Sequence, residues 1–177
     1  MLVTYRPLPS LVRMLLLTTT LILLGSAQAR AQSTPAQTVD AFYRDYMTAV
    51  ARTPRRWVQE LVKKQEAHLD PDLAAWLVEI ASNTPDSGKA WLDFDPIGNS
   101  QMGTLKYIVK AASQKGGETI VPVALQLTRG PGPPKVRVCV TLQKRAGAWI
   151  ITNFNYPAEA GMKAWDLKTF LKTALKH

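Results

Sequence analysis

The sequence is short of the residues that build covalent cross-links and reactive sites. Cys139 is the only cysteine among 177 residues, so no intramolecular disulfide can form and stability must come from a packed core. No histidine or metal-ligand motif accompanies Cys139, which is predicted to be a buried or half-buried filler rather than a reactive thiol. The two histidines are His68 and His177. His68 has no serine or cysteine nucleophile near it in sequence and is predicted to be a solvated loop residue.

A long hydrophobic run is also missing. The apolar segment Met14–Gly25 is shorter than the ~20 residues that cross a bilayer. Arg6 and Arg13 precede it, and two overlapping A-x-A cleavage motifs follow it at residues 27–31. Residues 1–31 are therefore predicted to be a cleaved secretory signal peptide, with an uncleaved membrane anchor as the alternative. Residues 32–177 are predicted to be one domain that is periplasmic or secreted.

Acidic residues are fewer than basic ones. The chain has 22 Lys and Arg against 13 Asp and Glu, a formal net charge of +9. Arg6, Arg13 and Arg30 lie in the predicted signal peptide and all 13 acids lie downstream, so the remainder carries +6. A basic surface favours anionic partners such as cell-wall polymers or lipid head groups. Nucleic acid is not expected as a partner, since no nucleic-acid-binding motif accompanies the charge.

The first half of the predicted domain has the periodicity of helices. Three predicted starts each combine a capping residue with a proline: Thr34-Pro35, Thr53-Pro54 and Asp70-Pro71. Gln37 completes a capping box with Thr34. Apolar residues at i, i+3, i+4 and i+7 follow the starts, and they include Val39, Phe42, Tyr43, Tyr46, Trp57, Leu61, Leu73, Leu77 and Ile80. The pattern predicts three amphipathic helices.

The second half changes to an alternation of two residues. Four segments joined by Gly- and Pro-rich turns predict an antiparallel meander, and they are Thr104–Ser113, Glu118–Thr128, Pro134–Lys144 and Ala146–Pro157. In the first, Leu105, Tyr107 and Val109 share a face. Pro122 in the second indicates an edge strand or a bulge.

The chain closes with a leucine-rich helical pattern after Trp165. Lys168, Lys172 and Lys176 line one side of it, most simply as a solvated face, with binding of an anionic partner as the alternative. Helices followed by strands predict an α+β fold. In the predicted fold, the N-terminal helices pack in the concave face of a curved antiparallel sheet of about four strands, and a short C-terminal helix follows.

Several short motifs resemble those of a known family. FYRDYM lies in the first predicted helix, LDFDPIGNSQ precedes the strands, and GAWIITNFNYP forms the last long strand before the leucine helix. The chain resembles the nuclear-transport-factor-2-like cone and, more narrowly, the bacterial domain of unknown function family 3828. The resemblance covers nearly all of the predicted domain. It implies an exported cone-shaped domain, a homodimer formed through the open sheet face, and no particular activity.

The stretch WLDFDPIGNSQM holds the strongest candidates for chemistry. Asp93 and Asp95 are two residues apart, so in an extended segment they face the same way, and Asn99 and Gln101 continue the spacing. Two such carboxylates can share a proton or hold a divalent cation. A calcium loop counted from Asp93 places Thr104 where a glutamate is required. No metal or cofactor is predicted, and a weaker cation site at Asp93, Asp95 and Asn99 is the alternative.

A structural interpretation of the same stretch starts from Pro96. It holds Asp95 extended, where an Asp side chain accepts nearby backbone N–H groups and shapes a turn. The alternative is a polar lining of a ligand or partner site. The candidate ligand-binding residues are Tyr43, Tyr46, Asp93, Asp95, Asn99 and Gln101. The two tyrosines also fit a core position with satisfied hydroxyls.

Three functions remain open at this point. The leading hypothesis is an exported, non-enzymatic binding domain that holds a small ligand, or a periplasmic protein or cell-wall partner, in its cone or on its sheet. The first alternative is a small periplasmic hydrolase or isomerase, which requires Asp93 or Asp95 in a closed cavity with Tyr43 or Tyr46 in hydrogen-bonding reach. The second is an inhibitor or immunity protein, which an exposed apolar patch ringed by charge would favour.

Overall fold

The computed structural model of the chain describes residues 33–83, 91–101, 103–127, 132–159 and 161–176. The predicted signal peptide lies outside the described residues. Residues Ser33–His177 cluster into one compact unit. Among the described helices, none combines the length and the apolar character that a membrane crossing requires.

Three helices open the described part of the chain. Helices α1, α2 and α3 span Pro35–Arg52, Trp57–Gln65 and Pro71–Ser82, with a 3₁₀ turn at Glu66–His68. The predicted starts of α1 and α3 are confirmed. Thr34 accepts the N–H of Gln37, and the Gln37 side chain accepts the N–H of Thr34 in return. Asp70 accepts the N–H of Leu73 at 3.5 Å, which satisfies a free donor of the first turn of α3.

The predicted start of the second helix at Thr53-Pro54 is wrong. Thr53 instead ends α1, because its N–H and its hydroxyl both donate to the carbonyl of Ala49, at 2.9 and 3.0 Å. Residues 54–56 form a turn, and α2 begins at Trp57 with no side-chain cap from Arg56. A threonine hydroxyl can bond to the carbonyl four residues before it as well as cap a helix start, so the Thr-Pro pair alone does not distinguish a helix end from a helix start.

The second half is an antiparallel sheet with four long and two short strands. Strands β1 to β6 span Thr104–Val109, Ser113–Lys115, Glu118–Leu127, Lys135–Arg145, Ala148–Tyr156 and Trp165–Asp166. Their order is β1-β3-β4-β5-β6, and β2 also pairs with β3. Helix α4, Leu167–Leu175, packs against α3 and β5. The predicted α+β fold is confirmed, and the two short strands add to the about four that were expected.

The sheet is curved and open, and three register shifts contribute to the bend. The extra residues are Leu105 in β1, Arg137 in β4 and Thr152 in β5. A bulge increases the twist of its strand and bends it. Because Leu105 is bulged it is 59% exposed, so the predicted shared face of β1 is correct for Tyr107 and Val109 and wrong for Leu105.

Aromatic side chains fill the space between the helices and the sheet. Phe42, Tyr43 and Tyr46 of α1 and Phe154 and Tyr156 of β5 are at most 1% exposed. The rings of Phe42 and Phe154 lie 5.4 Å apart and link the helix to the sheet. Burying a side chain of this size contributes about 2–3 kcal/mol. We call the side of the sheet covered by α1–α3 the helix face and the opposite side the outer face.

A buried carboxylate joins helices α3 and α4 to two adjacent strands of the sheet. Asp70, at the start of α3, accepts Lys168 Nζ of α4 at 2.8 Å and Arg145 Nη1 of β4 at 2.9 Å. Its backbone N–H donates to the carbonyl of Ile151 in β5 at 2.9 Å. The prediction of a solvated Lys168 is wrong, because its side chain is only 31% exposed and its Nζ is bound to the carboxylate of Asp70. Lys172 is exposed as predicted.

Candidate functional site

Asp95 shapes the turn that precedes β1. Its Oδ1 accepts the backbone N–H groups of Ile97 and Gly98 at 2.8 and 2.9 Å. Its backbone pairs with that of Ser100, at 2.8 and 3.3 Å. The predicted turn-forming role of Asp95 is confirmed. Asn99 lies in this turn with φ of +48°, a left-handed conformation that asparagine adopts more easily than most residues.

Two tyrosine hydroxyls hold the carbonyls of this turn from inside the core. Tyr43 donates to the carbonyl of Ile97 at 3.1 Å, and Tyr156 donates to the carbonyl of Pro96. Burial raises the pKa of each phenol, and the nearby charge of Asp95 adds to the rise. Both therefore remain donors at neutral pH, and the turn is fixed to α1 and β5.

A third tyrosine binds the carboxylate itself. Tyr46 donates to Asp95 Oδ2, and its hydroxyl also lies 3.1 Å from Thr104 Oγ1. Burial raises the pKa of Asp95, against the hydrogen bonds from Tyr46, Gly98 and Ile97, which lower it. Burial and the Asp95 charge raise the pKa of Tyr46 far above its ordinary value. Tyr43 and Tyr46 are thus core residues with satisfied hydroxyls, one of the two predicted alternatives.

The other predicted site residues lie at the surface. Asp93 and Gln101 are exposed, and residues 93–94 form a bend rather than the extended segment assumed for the aspartate pair. Asp93 and Asp95 both border a groove of about 410 Å³ that is open to solvent. An acid–base site of the predicted kind needs a closed cavity that excludes water. The structure therefore separates the set into a buried turn and an exposed rim.

A larger groove lies on the outer face. Its floor is formed by Ile120 of β3, Cys139 and Thr141 of β4, and Asn155 of β5, which occupy adjacent register positions. These side chains alternate along their strands with core residues and so face away from the helices. The volume is about 750 Å³, within the range of small-molecule sites. We call this feature the outer groove.

Asn155 organises the polar part of the outer groove. Its Nδ2 donates to the carbonyl of Cys139 at 3.1 Å and to Thr141 Oγ1 at 2.7 Å. Among the described residues, its Oδ1 accepts no hydrogen bond, and every buried side-chain oxygen or nitrogen has a partner. The Oδ1 atom is therefore accessible to solvent or to a ligand, held in a fixed direction by the two bonds of the same amide.

The charges around the outer groove have both signs. Lys115 and Glu118 come from the β2–β3 hairpin and Asp166 from β6. Burial raises the pKa of the Cys139 thiol, and Lys115 partly offsets the rise. Cys139 is half-buried, as predicted, and its role as a filler rather than a reactive thiol stays a prediction. A ligand in this groove would meet an amide acceptor, charged groups and the apolar side chain of Ile120.

Sequence reasoning missed the outer groove. The available signal is the polar series Thr141, Asn153 and Asn155, which alternates with core residues on β4 and β5. Polar residues on the solvent side of an antiparallel strand are ordinary, so the alternation alone does not mark a site. Only the register brings Thr141 and Asn155 together beside Ile120.

Across the described segments, no group of three or more His, Cys, Asp or Glu side chains is placed to hold a metal ion. Comparisons with protein-family models, with curated proteins and with solved structures found no match. The resemblance to family 3828 and to the nuclear-transport-factor-2-like cone stays a prediction.

Proposed function

We propose that this chain is an exported, non-enzymatic binding domain that holds a small polar ligand in the outer groove. The observation that carries the proposal is the fixed, unoccupied Oδ1 of Asn155 above an apolar floor at Ile120. Small-molecule sites combine apolar lining with a few oriented polar groups in this way. The charges of Lys115, Glu118 and Asp166 favour a ligand that carries both donors and acceptors.

The state of the aspartates supports binding over catalysis. Asp95 uses Oδ1 for two backbone N–H groups and Oδ2 for Tyr46. Three of the about four lone-pair sites of this carboxylate are therefore occupied by hydrogen bonds within the protein. Asp93 is exposed beside open solvent. The enzyme alternative therefore loses the two residues on which it depended.

The inhibitor alternative depends on an apolar surface for a partner. Ile108, Ala124 and Val136 stand side by side on the outer face, and Ile108 and Val136 are 36% and 43% exposed. Ala124 is buried, so this row exposes parts of two side chains only. Protein-binding patches are usually several hundred Å², and the outer groove supplies the better-defined surface.

A thermal-shift screen of metabolites and soluble cell-wall fragments tests the ligand proposal. A bound compound at about 100 times its dissociation constant should raise the melting temperature by about 5–10 °C. The blocking variant is Ile120→Trp, which fills the groove floor. Its matched control is Ile108→Trp, on the same face outside the groove. A compound that stabilises the wild type and the control equally, and the blocking variant not at all, supports the proposal.

Two results of the screen would contradict it. One is a panel in which no compound changes the melting temperature. The other is a stabilising compound to which Ile120→Trp responds as strongly as the wild type. Circular dichroism of both tryptophan variants separates a blocked groove from a lost fold.

Export is proposed from the sequence pattern of residues 1–31. Cell fractionation followed by mass spectrometry of the purified chain tests it. The expected result is a periplasmic or secreted protein whose first residue lies near Gln32. Recovery of the full-length chain from the cytoplasm would contradict export and leave the groove proposal standing.

A further inference from the structure

Positive charge is concentrated at the corner between α1 and α2. Within Arg52–Lys64, five basic residues stand against one acid, Glu60. This segment carries +4, whereas residues 33–177 together carry +6 by the count given above. Most of the net charge of the domain therefore lies in one short segment of the surface.

The cations of this corner are exposed and not engaged by acids. Arg52, Arg55, Arg56 and Lys63 are exposed. Within the described part of the chain, none of the four forms an ion pair or a side-chain hydrogen bond. Lys64, by contrast, binds Asp45 at 2.8 Å. We call Arg52, Arg55, Arg56 and Lys63 the basic corner.

Two depressions adjoin the basic corner. One, of about 390 Å³, lies between α1 and α2 and has Ala49 and Leu61 in its lining. The other is the groove of about 410 Å³, which is lined by Val50, Trp57 and Trp91. Trp91 is 42% exposed. Tryptophan is enriched at the boundary between lipid head groups and acyl chains, because its ring is apolar and its N–H is polar.

Acidic residues weaken this surface without cancelling its charge. Glu60 and Asp93 are exposed and line the two depressions. The carboxylate of Asp45 is neutralised by Lys64. The four cations of the basic corner therefore exceed the two exposed acids beside them by two, and the carboxylate of Asp95, which also borders the larger groove, is held inside its turn. The surplus and the adjacent tryptophans occupy the same end of the helix pair.

We propose that the basic corner docks this domain on the surface of anionic phospholipid bilayers, with Trp57 and Trp91 at the level of the head groups. Basic side chains near an anionic leaflet contribute about 1 kcal/mol each. The tryptophans would add apolar contacts with a lipid bilayer, which a purely ionic partner cannot form. Docking at this corner is independent of the outer groove, so either proposal can fail alone.

Co-sedimentation with lipid vesicles tests the docking. The full chain is incubated with vesicles of phosphatidylglycerol and phosphatidylcholine, and separately with vesicles of phosphatidylcholine alone. Binding is expected to the anionic vesicles only. It should weaken as salt rises from about 0.1 to 1 M, because the screening length falls from about 10 to 3 Å. Neutral vesicles also report any binding by the apolar segment Met14–Gly25.

Two triple variants with the same change in net charge locate the surface. Arg52→Gln with Arg55→Gln and Arg56→Gln should reduce partitioning to anionic vesicles about a hundredfold, since three cations are removed. The matched control removes three exposed lysines of the sheet region, in β1, directly after β1 and in β4, by Lys106→Gln, Lys110→Gln and Lys135→Gln. The control should bind within about threefold of the wild type, because charges beyond a Debye length are largely screened.

Tryptophan fluorescence gives an independent readout. Brominated phosphatidylglycerol should quench the wild type on binding, and Trp91→Phe should lose a large part of that quenching. Equal losses in both triple variants would overturn the proposal, because binding would then follow net charge alone. So would wild-type binding that does not distinguish anionic from neutral vesicles, or tighter binding to duplex DNA through the same three arginines. Circular dichroism of each variant excludes unfolding as the cause.

Discussion

The two oxygens of Asp95 have different partners. Oδ1 holds the turn through Ile97 and Gly98, and Oδ2 receives the hydroxyl of Tyr46. Each hydrogen bond to a charged group contributes about 1.5–3 kcal/mol, and burial of the charge opposes that gain. An amide side chain could keep the acceptor at Oδ1 without the buried charge. Substitution of Asp95 can therefore separate the effect of the turn's hydrogen bonds on stability from the effect of the buried charge.

Asp95→Ala should lower the free energy of unfolding by about 2–3 kcal/mol, because two N–H groups and the Tyr46 hydroxyl lose a partner. Asp95→Asn should lower it by less than about 1 kcal/mol, since its oxygen can still accept both N–H groups. Urea unfolding followed by circular dichroism measures both. The control is Asp93→Asn, an exposed neighbour, which should stay close to the wild type. Equal losses for Ala and Asn at position 95 would contradict this account of the turn.

The buried charge of Asp95 also gives a pH dependence of defined sign. Its pKa is raised in the folded state, so the folded chain holds this proton more tightly than the unfolded chain. The stability contributed by this proton is complete below pH 3.8, the ordinary pKa of the group, and is lost as pH rises through its higher pKa in the folded state. The free energy of unfolding of the wild type should therefore fall relative to that of Asp95→Asn as pH rises from 4 to 7. A difference that stays constant, or moves the other way, would be inconsistent with the burial.

Gly98 lies where the turn has no room for a side chain. A Cβ there would lie 2.8 Å from Thr104 Oγ1 and 2.9 Å from Asp95 Oδ2. Gly98→Ala should cost about 2–3 kcal/mol, because the turn must move off Asp95. Gly116→Ala is the control: its Cβ meets open space, and only its left-handed backbone, with φ of +59°, costs about 1–2 kcal/mol. A smaller loss at position 98 than at position 116 would show that the contact is not tight.

Residue-level prediction succeeded where the cause is local. Pro96 after Asp95 predicted the turn, because proline restricts the residue before it and Asp bonds to nearby N–H groups. The partners of that turn could not be predicted. Tyr46 and Tyr156 are far from it in sequence, and only the packing of α1 against β5 brings their hydroxyls to it.

At the scale of secondary-structure elements, Asp70 links two helices and a strand. It begins α3 and binds Arg145 of β4 and Lys168 of α4. Burial opposes its ionisation, but the hydrogen bonds from Lys168 and Arg145 outweigh burial and lower its pKa. The ionised carboxylate stabilises the fold above pH 3.8, its ordinary pKa. That contribution is lost as pH falls through the lower pKa of the folded state.

Asp70→Ala should destabilise the fold by about 3 kcal/mol, through the lost cap and the two unpaired cations. Asp70→Asn should cost about 1–2 kcal/mol, because its oxygen still caps α3 and Arg145 is partly solvated. Urea unfolding between pH 2 and 6 should show a weaker loss on acidification in Asp70→Asn than in the wild type. Asp72→Asn, an exposed first-turn residue, is the control. An unchanged acid slope in Asp70→Asn would rule out this linkage.

Two helix starts could be predicted from the sequence, those of α1 and α3. The caps at Thr34 and Asp70 were predicted because capping residue, proline and periodicity agree. Pro122 was expected at an edge or a bulge, yet β3 is an inner strand. It fits there because β1 pairs up to Val123 and β2 resumes at Ile120. Strands β2 and β6 have three residues and two, too short for any periodicity to show.

At the scale of the whole molecule, the outer face decides between a monomer and a pair. The resemblance implies a homodimer through the open sheet face. Ile108 of β1 and Val136 of β4 are exposed there, on either side of Ala124 in β3. If two copies pair there, light scattering over a concentration series should show a dimer that Ile108→Asp with Val136→Asp converts to a monomer. The control is Met162→Asp, at a residue that is 62% exposed. A wild type that stays monomeric throughout would contradict the dimer.

The single cysteine has a practical consequence. Cys139 sits half-buried on the floor of the outer groove, and no other cysteine competes with it. A maleimide fluorophore or a nitroxide would therefore attach to one atom without prior mutagenesis. Because burial raises the pKa of the thiol, coupling should be slow at neutral pH and faster in mildly alkaline buffer. The attached label would report on this hollow in real time.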